Sequence, residues 1–502
     1  MLIKSDPDTI QSYLGDASHM REGHADRVVF PQNAEEVAAI ISDASERKIP
    51  VTISGAGTGT VGGRIAFGGT VLATDKLNQI LTIEGEPGHG GYAIAEAGVA
   101  LSEFQRATEA VGLLYPPDPT ERGCFLGGTV ATNASGARTF KYGPTRRYIR
   151  RLKLAFTTGD VIDLKRGELF ADASGSIRIP LANERTIQAQ LPSYYMPETR
   201  KNATGYFAKP GMDLLNLFIG SEGTLAVIVE VEATLLKKPE GLLSGVVFFH
   251  NEDHLLSFVA EARSRSLKGH LSADRPSGID ARALEYFDRE SLGFLKQMYE
   301  SIPEGSEGAI FFEQETTADT EDSLLSEWLK MLEAHQASTD SWFATGEADQ
   351  AKLREFRHQL PVLMNEWFAH YEQKKVSTDM AVPDQAFPGM LRLYEDTLRP
   401  SGLKYTIFGH IGDNHVHVNI LPRDKAEGVS AREIYLKFLK HAASVGGTLS
   451  AEHGVGKLKR EYLRLFYTDD QLRQMVQLKR AFDPAGILGR GNMFSEDLLN
   501  VR

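Results

Sequence analysis

One cysteine, Cys124, stands among 502 residues, which excludes an intrachain disulfide and any iron–sulfur cluster built from cysteines of this chain alone. No apolar run approaches the roughly 20 residues that a membrane span needs. The first residues, MLIKSDPDTIQSYLGDASHM, lack an apolar core followed by a small-residue cleavage site. The expected location is the cytoplasm, with a peripheral place at the inner membrane face left open. Positive charge is scarce too. A formal net charge of −12 argues against nucleic acid as a partner, because affinity there comes mostly from Lys and Arg on phosphates. One local exception is RTFKYGPTRRYIRRLKL at 138–154, which reads as a solvated basic edge in preference to a docking patch for an acidic partner.

What is present is the composition of a globular protein, 42% hydrophobic and 24% charged, in a chain too long for a single core. Residues 51–63 read VTISGAGTGTVGG, and Gly57–Gly62 satisfies the G-x-G-x-x-G dinucleotide fingerprint, with Asp75 near the place of a ribose-binding carboxylate. The context rejects that reading. Only seven residues separate Gly62 from the next strand, TVLATD at 70–75, and no crossover helix fits between them. A second glycine-rich stretch, 123–136, follows in the same strand-rich region. Successive glycines let backbone N–H groups converge on an anion, so the two loops together favour a nucleotide phosphate.

RRLKLAFTTGDVIDL at 150–164 predicts a hairpin turning at Thr158-Gly159-Asp160. Residues 214–239 predict two strands paired around Gly220-Ser221-Glu222-Gly223, and Lys237-Lys238-Pro239 marks a boundary. Beyond it, strand and helix alternate twice, which predicts an antiparallel sheet covered by helices on one face. The fold class is α+β, with domains at 1–240 and 241–465 and a C-terminal helix and tail, 466–502, returning toward the first.

Three stretches carry candidate chemistry. In GHIGDNHVHVN a strand through 415–421 would place His415, His417 and Asn419 on one face, with His410 folding back from the preceding turn. Such a cluster suits a metal. In Ala451-Glu452-His453-Gly454 a carboxylate could complete a two-His, one-carboxylate set while the imidazole acts as base. Neighbours on a strand point apart, so both roles require a bend, which Gly454 and Gly456 permit. Arg354, Arg357 and His358 share one helix face at i, i+3, i+4.

Taken in order, VTISGAGTGTVGG, PPDPTERGCFLGGTVATNASG, GSEGTL, GHIGDNHVHVN, AEHGVG and FDPAGIL resemble the FAD-linked oxidases of the vanillyl-alcohol-oxidase and p-cresol-methylhydroxylase (PCMH-type) superfamily. The resemblance is to the branch of D-lactate dehydrogenases, D-2-hydroxyglutarate dehydrogenase and the glycolate oxidase flavoprotein subunit. It implies a PCMH-type two-part FAD-binding domain plus a cap domain. It also implies noncovalent FAD, with Ser54, Gly55, Ala56, Gly57, Thr58 and Gly59 around the pyrophosphate. Pro117, Asp118, Gly127, Gly128, Asn133, Ser135 and Gly136 would line the flavin, and Glu222, Gly223 and Ile228 would close the site.

The resemblance further implies a divalent metal (Zn, or Mn/Fe) on His410, His417 and Glu452, His453 as base, and Asn419 and Arg354 as substrate contacts. The activity implied is oxidation of a D-2-hydroxy acid to the 2-oxo acid. Electrons would pass to an external quinone, cytochrome or electron-transfer flavoprotein, and a homodimer is among the assemblies allowed. Two alternatives stand beside it: a non-redox flavin enzyme of the alkyl-dihydroxyacetonephosphate synthase type, and a flavin-binding subunit active only in a larger electron-transfer complex. The chain departs from the branch at three places. His415 replaces an Asn, the substrate-binding Lys aligns only with Lys374 or Lys375, and Ile487–Asn492 replaces the usual ILNPGK.

Overall fold

The computed structural model describes residues 1–86, 90–182, 184–270 and 278–500. Strands β1 (Leu2–Lys4) and β2 (Arg27–Phe30) are followed by helix α1 (Ala34–Glu46). Asn33 caps this helix by accepting from the Glu36 N–H, and Val37, Ala38, Ile41 and Ala44 form its buried stripe. Strands β3 (Val51–Ser54) and β4 (Thr70–Ala73) come next, in a sheet of order β1-β2-β4-β3. β3 and β4 are parallel neighbours. The chain crosses between them through residues 55–69 without an α-helix, as the spacing predicts.

A second, six-stranded sheet contains β5 (Ile80–Glu86) and β6 (Gly90–Glu96). After helix α2 (Leu126–Ala131) it gains β7 (Ile149–Ala155), β8 (Val161–Lys165) and β9 (Val227–Lys237). The order is β5-β6-β9-β7-β8, with the short strand Leu113–Leu114 paired to β9 off this path and β7 and β8 forming the expected hairpin. The expectation for 214–239 needs correction. Leu215–Phe218 is a buried helical turn and not a strand, and β9 pairs instead with β6 and β7.

The third sheet is built from β10 (Gly241–Phe249), helix α3 (Glu252–His270), β11 (Ala281–Asp288), helix α4 (Arg289–Leu295) and β12 (Gly308–Thr316). Helix α5 (Glu321–Ala334), β13 (Trp342–Ala344), helix α6 (Glu347–Tyr371), β14 (Val376–Ser377), β15 (Lys404–Gly409) and β16 (His417–Leu421) complete it. The seven strands run in the order β13-β10-β12-β11-β15-β16-β14, every pair antiparallel. Helices cover both faces and not one. Leu243, Val247, Ile310 and Phe312 share a core with Phe258 of α3 and Trp328 of α5. Val246, Phe248, Ala309 and Phe311 pack with Leu292 of α4 and Phe356 of α6. The continuous apolar runs GVVFF and AIFF carry this burial, since a strand open on one side would alternate.

Asp288 ends β11 and caps α4, accepting from the Ser291 N–H at 2.8 Å. Burial outweighs that hydrogen bond and pushes its carboxyl up to about 7. A folded-state value above the ordinary one favours the folded state fully only below about pH 4, and the advantage is lost as pH rises through about 7. Asp288→Asn keeps a good cap and removes the titration. Its melting temperature, relative to the parent, is expected to be higher at pH 8 than at pH 5; an equal gap at both pH values contradicts this.

Candidate active site

The two glycine loops meet in a cleft of about 320 Å³. Gly55, Ala56, Gly57, Thr58 and Gly59 form one wall, Gly127, Gly128 and Ser135 another, and Glu222, Gly223 and Ile228 close it. Among the described residues, no acceptor meets the backbone N–H groups of Ala56, Gly57, Thr58 and Gly59, and all four residues line the cleft. A Cβ on Gly59 or Gly128 would meet no atom within 4 Å, whereas one on Gly127 would lie 2.6 Å from the Ala97 Cβ. The first two glycines leave open space for an anionic, flat occupant, and the third permits close packing. Both properties fit a dinucleotide.

At the end of this cleft stands Glu452, with His453 beside it. His410 Nε2 lies 3.3 Å and His417 Nε2 3.1 Å from Glu452 Oε1. Each ring is oriented from behind. His410 Nδ1 faces Glu285 Oε1 at 2.7 Å, and His417 Nδ1 faces the Thr378 carbonyl at 3.1 Å. With the N–H on Nδ1 in both, two lone pairs and one carboxylate oxygen converge on one point, which is how histidines are set to hold a metal. Burial opposes charge on His410, yet Glu285 raises it to about 9, so a cation bound here would take the place of the proton on Nε2. Glu452 Oε2 accepts from Ser135 at 3.1 Å and from the fully buried Lys201 at 3.0 Å. Burial would raise Glu452, but Lys201 and His410 hold it well below the usual carboxylate range.

His415 is placed differently from expectation. Strand β16 starts at His417, so His415 precedes it, in a turn closed by its N–H to the His410 carbonyl at 3.1 Å. It still lies in the cluster: one ligand atom from each of His410, His415, His417 and Glu452 falls within 4.8 Å of every other. Burial drives its ring down to about 3, so it is neutral. Asn419, on β16, is buried with neither amide atom hydrogen-bonded.

Glu452 and His453 face one site because the chain bends, with Gly454 at φ +83° and Gly456 at φ +51°. A Cβ on Gly456 would lie 2.3 Å from the Val61 carbonyl. That carbonyl accepts from Lys457 N–H at 2.9 Å, which pins the bend to the first glycine loop. Glu222 pins it to the other side, accepting from the Val455 N–H at 2.8 Å and the Gly456 N–H at 2.6 Å. Asp379 Oδ2 lies 3.3 Å from His453 Nδ1 and accepts from Lys459 at 2.6 Å. Burial would raise Asp379, but His453 and Lys459 hold it well below the usual range.

Arg354 does not touch this cluster. Its guanidinium is 3.6 Å from Glu313 and partly exposed. Arg357 is the neighbour that reaches inward, donating to Glu285 at 2.9 Å. Arg282, the extra residue of a bulge in β11, pairs with Glu313 at 2.8 Å, and Arg138 with Asp118 at 3.2 Å. Arg122 also pairs with Asp118, so five guanidinium groups (Arg122, Arg138, Arg282, Arg354, Arg357) gather around three carboxylates (Asp118, Glu285, Glu313). Burial, with Arg138 alongside, brings Arg282 down to about 10.

The basic stretch 138–154 is not a solvated edge. Lys141 pairs with Asp280 and Glu315, Arg151 with Glu230 and Glu232, and Lys153 with Glu230. Arg146 donates to the carbonyls of Asn216 and Ile219.

Five expected cofactor residues lie off the cleft wall. Ser54 ends β3, and its hydroxyl donates to the Gly55 carbonyl. The Pro117 carbonyl accepts from Gln105 at 3.0 Å, and Asp118 is held by arginines. Asn133 accepts from the Arg146 N–H at 3.0 Å; a Cβ on Gly136 would lie 2.0 Å from the Asp118 carbonyl. They shape the loop from behind. The residues missed from sequence are Lys201, Glu285 and Asp379 around the cluster, and Val61, Arg64 and Asn492 on the cleft. Asn492 stands in the divergent C-terminal segment, accepts from Lys457 at 2.7 Å and donates to the Gly63 carbonyl at 2.9 Å.

Fold and site define a flavin-type nucleotide cleft joined to an acid–base cluster. Residues 25–165 match the family described as FAD binding domain, and 271–493 match FAD linked oxidases, C-terminal domain. The chain is 30% identical to a D-lactate dehydrogenase of Anaerostipes hadrus, over 93% of this chain and 89% of that one. It is 28% identical to glycolate oxidase subunit GlcD of Bacillus subtilis, over 97% and 92%. It is 26% identical to a D-2-hydroxyglutarate dehydrogenase of Stutzerimonas stutzeri, over 98% and 96%. The fold is similar to that of an alkyldihydroxyacetonephosphate synthase at TM-score 0.64 and 16% identity, covering 97% of this chain and 82% of that one. The chain belongs to the FAD-linked oxidase family with a PCMH-type FAD-binding domain, and FAD is its cofactor. No helix among the described residues is long and apolar enough to cross a membrane.

Because a side chain on Gly128 would enter the cleft without meeting protein, Gly128→Leu is expected to fold, by circular dichroism, yet retain FAD at least about tenfold less tightly. Full flavin absorbance after gel filtration would contradict the placement.

Proposed function

We propose that the chain oxidises a D-2-hydroxy acid of the D-lactate type to its 2-oxo acid, using noncovalent FAD and a divalent metal, and passes electrons to an external acceptor. The observation that carries this reading is the convergence of His410, His417 and Glu452 beside the glycine-lined cleft, with His453 adjacent. Its donor set, two imidazoles and one carboxylate, leaves coordination positions open for a chelating hydroxy acid. Bound FAD supplies a two-electron acceptor, and a divalent ion supplies acidity, lowering the pKa of a ligated water from about 16 to about 7.

The side chains do the rest. His453 takes the substrate's hydroxyl proton. Asp379 holds its Nδ1 at 3.3 Å, which leaves Nε2, 3.8 Å from Glu452, as the acceptor. Arg354, with one carboxylate at 3.6 Å and partial exposure, holds the substrate carboxylate, and the surplus of guanidinium groups behind it favours an acid. The unpartnered amide of Asn419 offers hydrogen bonds to the same substrate. Burial pushes the Cys124 thiol up to about 12, so it is a poor nucleophile and FAD stays untethered. Ser54–Gly59 wrap the pyrophosphate. Pro117, Asp118, Gly127, Gly128, Asn133, Ser135, Gly136, Glu222, Gly223 and Ile228 support the flavin directly or from behind. With one cysteine, reoxidation needs an acceptor outside the chain: a quinone, a cytochrome or an electron-transfer flavoprotein. The domain limits we adopt are 1–240, 241–465 and 466–502, the first falling between β9 and β10.

The test is anaerobic mixing with D- and L-2-hydroxy acids, followed by flavin absorbance and repeated after EDTA. Bleaching by the D-acid that is abolished by chelation is expected; equal bleaching by both enantiomers, or indifference to EDTA, would sink the reading. His453→Asn should retain FAD and slow flavin reduction about 10²- to 10⁴-fold. Arg354→Ala should raise KM for the acid by about tenfold or more, as expected for loss of a charge-assisted hydrogen bond; an unchanged KM would remove Arg354 from the substrate site.

A further inference from the structure

Every ring nitrogen near Glu452 has an evident use except those of His415. His410 and His417 each commit Nδ1 to a fixed acceptor, and His453 commits Nδ1 to Asp379. His415 is fully buried, and neither of its ring nitrogens makes a hydrogen bond among the described residues. Its Nε2 stands 3.3 Å from Asp379 Oδ1, but Asp379 does not depend on it. That carboxylate already accepts from Ser450, from Lys459, and from the backbone N–H groups of Glu452 and His453. A neutral imidazole carries one N–H and one lone pair. Even with the N–H turned to Asp379, a lone pair remains in a closed pocket with no donor to meet it.

The surroundings of that lone pair are the metal-type cluster itself. The His415 ring centroid is 4.6 Å from that of His417 and 5.6 Å from that of His410. The ring is also firmly placed. The turn Ile411–Asp413, continued by Asn414 at φ +53°, presents His410 at one end and His415 at the other. We propose that His415 is a fourth protein ligand, so that the site is a three-histidine, one-carboxylate set.

The proposal rests on the reading that the cluster binds a divalent metal, and it adds a consequence. Were the bound ion six-coordinate, four protein ligands would leave two positions, the number that the hydroxyl and one carboxylate oxygen of a 2-hydroxy acid would fill. Three imidazoles also tilt selection toward zinc and the later transition metals and away from magnesium and calcium.

The experiment uses the FAD-loaded full chain stripped of metal and given substoichiometric Cu²⁺, with pulsed EPR counting coordinated imidazoles. Competition against a chelator gives the affinity for Zn²⁺ in parallel. Three imidazoles are expected in the parent and two in His415→Asn, with FAD content unchanged and Zn²⁺ affinity about 10- to 100-fold lower, on the scale of losing one supporting group or more. Two imidazoles in the parent would overturn the proposal even if the variant did not fold. So would equal counts and equal affinity in both proteins, and the metal reading would then stand. No binding of either ion by the parent would overturn both.

Discussion

One buried carboxylate, that of Glu452, holds the site together. Its Oε1 faces two histidines carried by the antiparallel cap sheet and its flanking turn, and its Oε2 takes Ser135 from the second glycine loop and Lys201 from the long connection after β8. Removing an ion from water costs several kcal/mol, and the cost is recovered only where every lone pair finds a partner. Those partners come from segments hundreds of residues apart, so the carboxylate is tolerable only when the flavin-binding half and the cap are docked. The same interaction closes the active site and joins the two halves. A lone Lys201 or a lone Glu452 would be an uncompensated buried charge, which makes partial assembly unfavourable.

The arginines follow the same logic on a larger scale. An acidic protein with a dense basic stretch suggests an outward-facing patch, yet the lysines and arginines of 138–154 largely neutralise carboxylates within the fold. Around Asp118, Glu285 and Glu313 five guanidinium groups meet three carboxylates, and this excess of positive charge reaches the metal-type cluster through Arg357, Glu285 and His410. Burial and Arg357 keep the nearby His358 neutral, near 4, so the local excess comes from guanidinium groups that stay charged at any working pH. The acid substrate proposed above would therefore meet a fixed positive field and not one that titrates.

Much of this was legible in sequence where the signal is local. The seven residues between Gly62 and the next strand were enough to reject a helix-based nucleotide site, and the parallel pair β3–β4 has none. The glycines 454 and 456 announced a bend that does turn Glu452 and His453 to one side. Other readings failed for physical reasons. LLNLF is apolar enough for a strand but is a buried turn of helix, a choice that periodicity cannot make over so few residues. The runs GVVFF and AIFF did hold the signal for a sheet covered on both faces; continuous apolarity was there to be read. Lys201, Glu285 and Asp379 carried no such signal, because their roles are set by partners 36 to 251 residues away in ion pairs that have no sequence period.

The bend at 452–456 explains why flavin cleft and acid–base cluster cannot drift apart. Gly456 sits against the Val61 carbonyl too closely for any side chain, and Glu222 spans the two N–H groups beside it. Burial raises the Glu222 carboxyl above its ordinary value, and those two N–H groups, present because the bend is formed, oppose that rise. His453 is thus fixed from three sides: the first glycine loop through Val61, the Gly220–Gly223 turn through Glu222, and the cap through Asp379. For a reaction in which one hydrogen leaves as a proton and the other as hydride, the base and the electron acceptor must address adjacent atoms of one substrate. Under the proposed function, His453 on the wall of the cofactor cleft would meet that requirement.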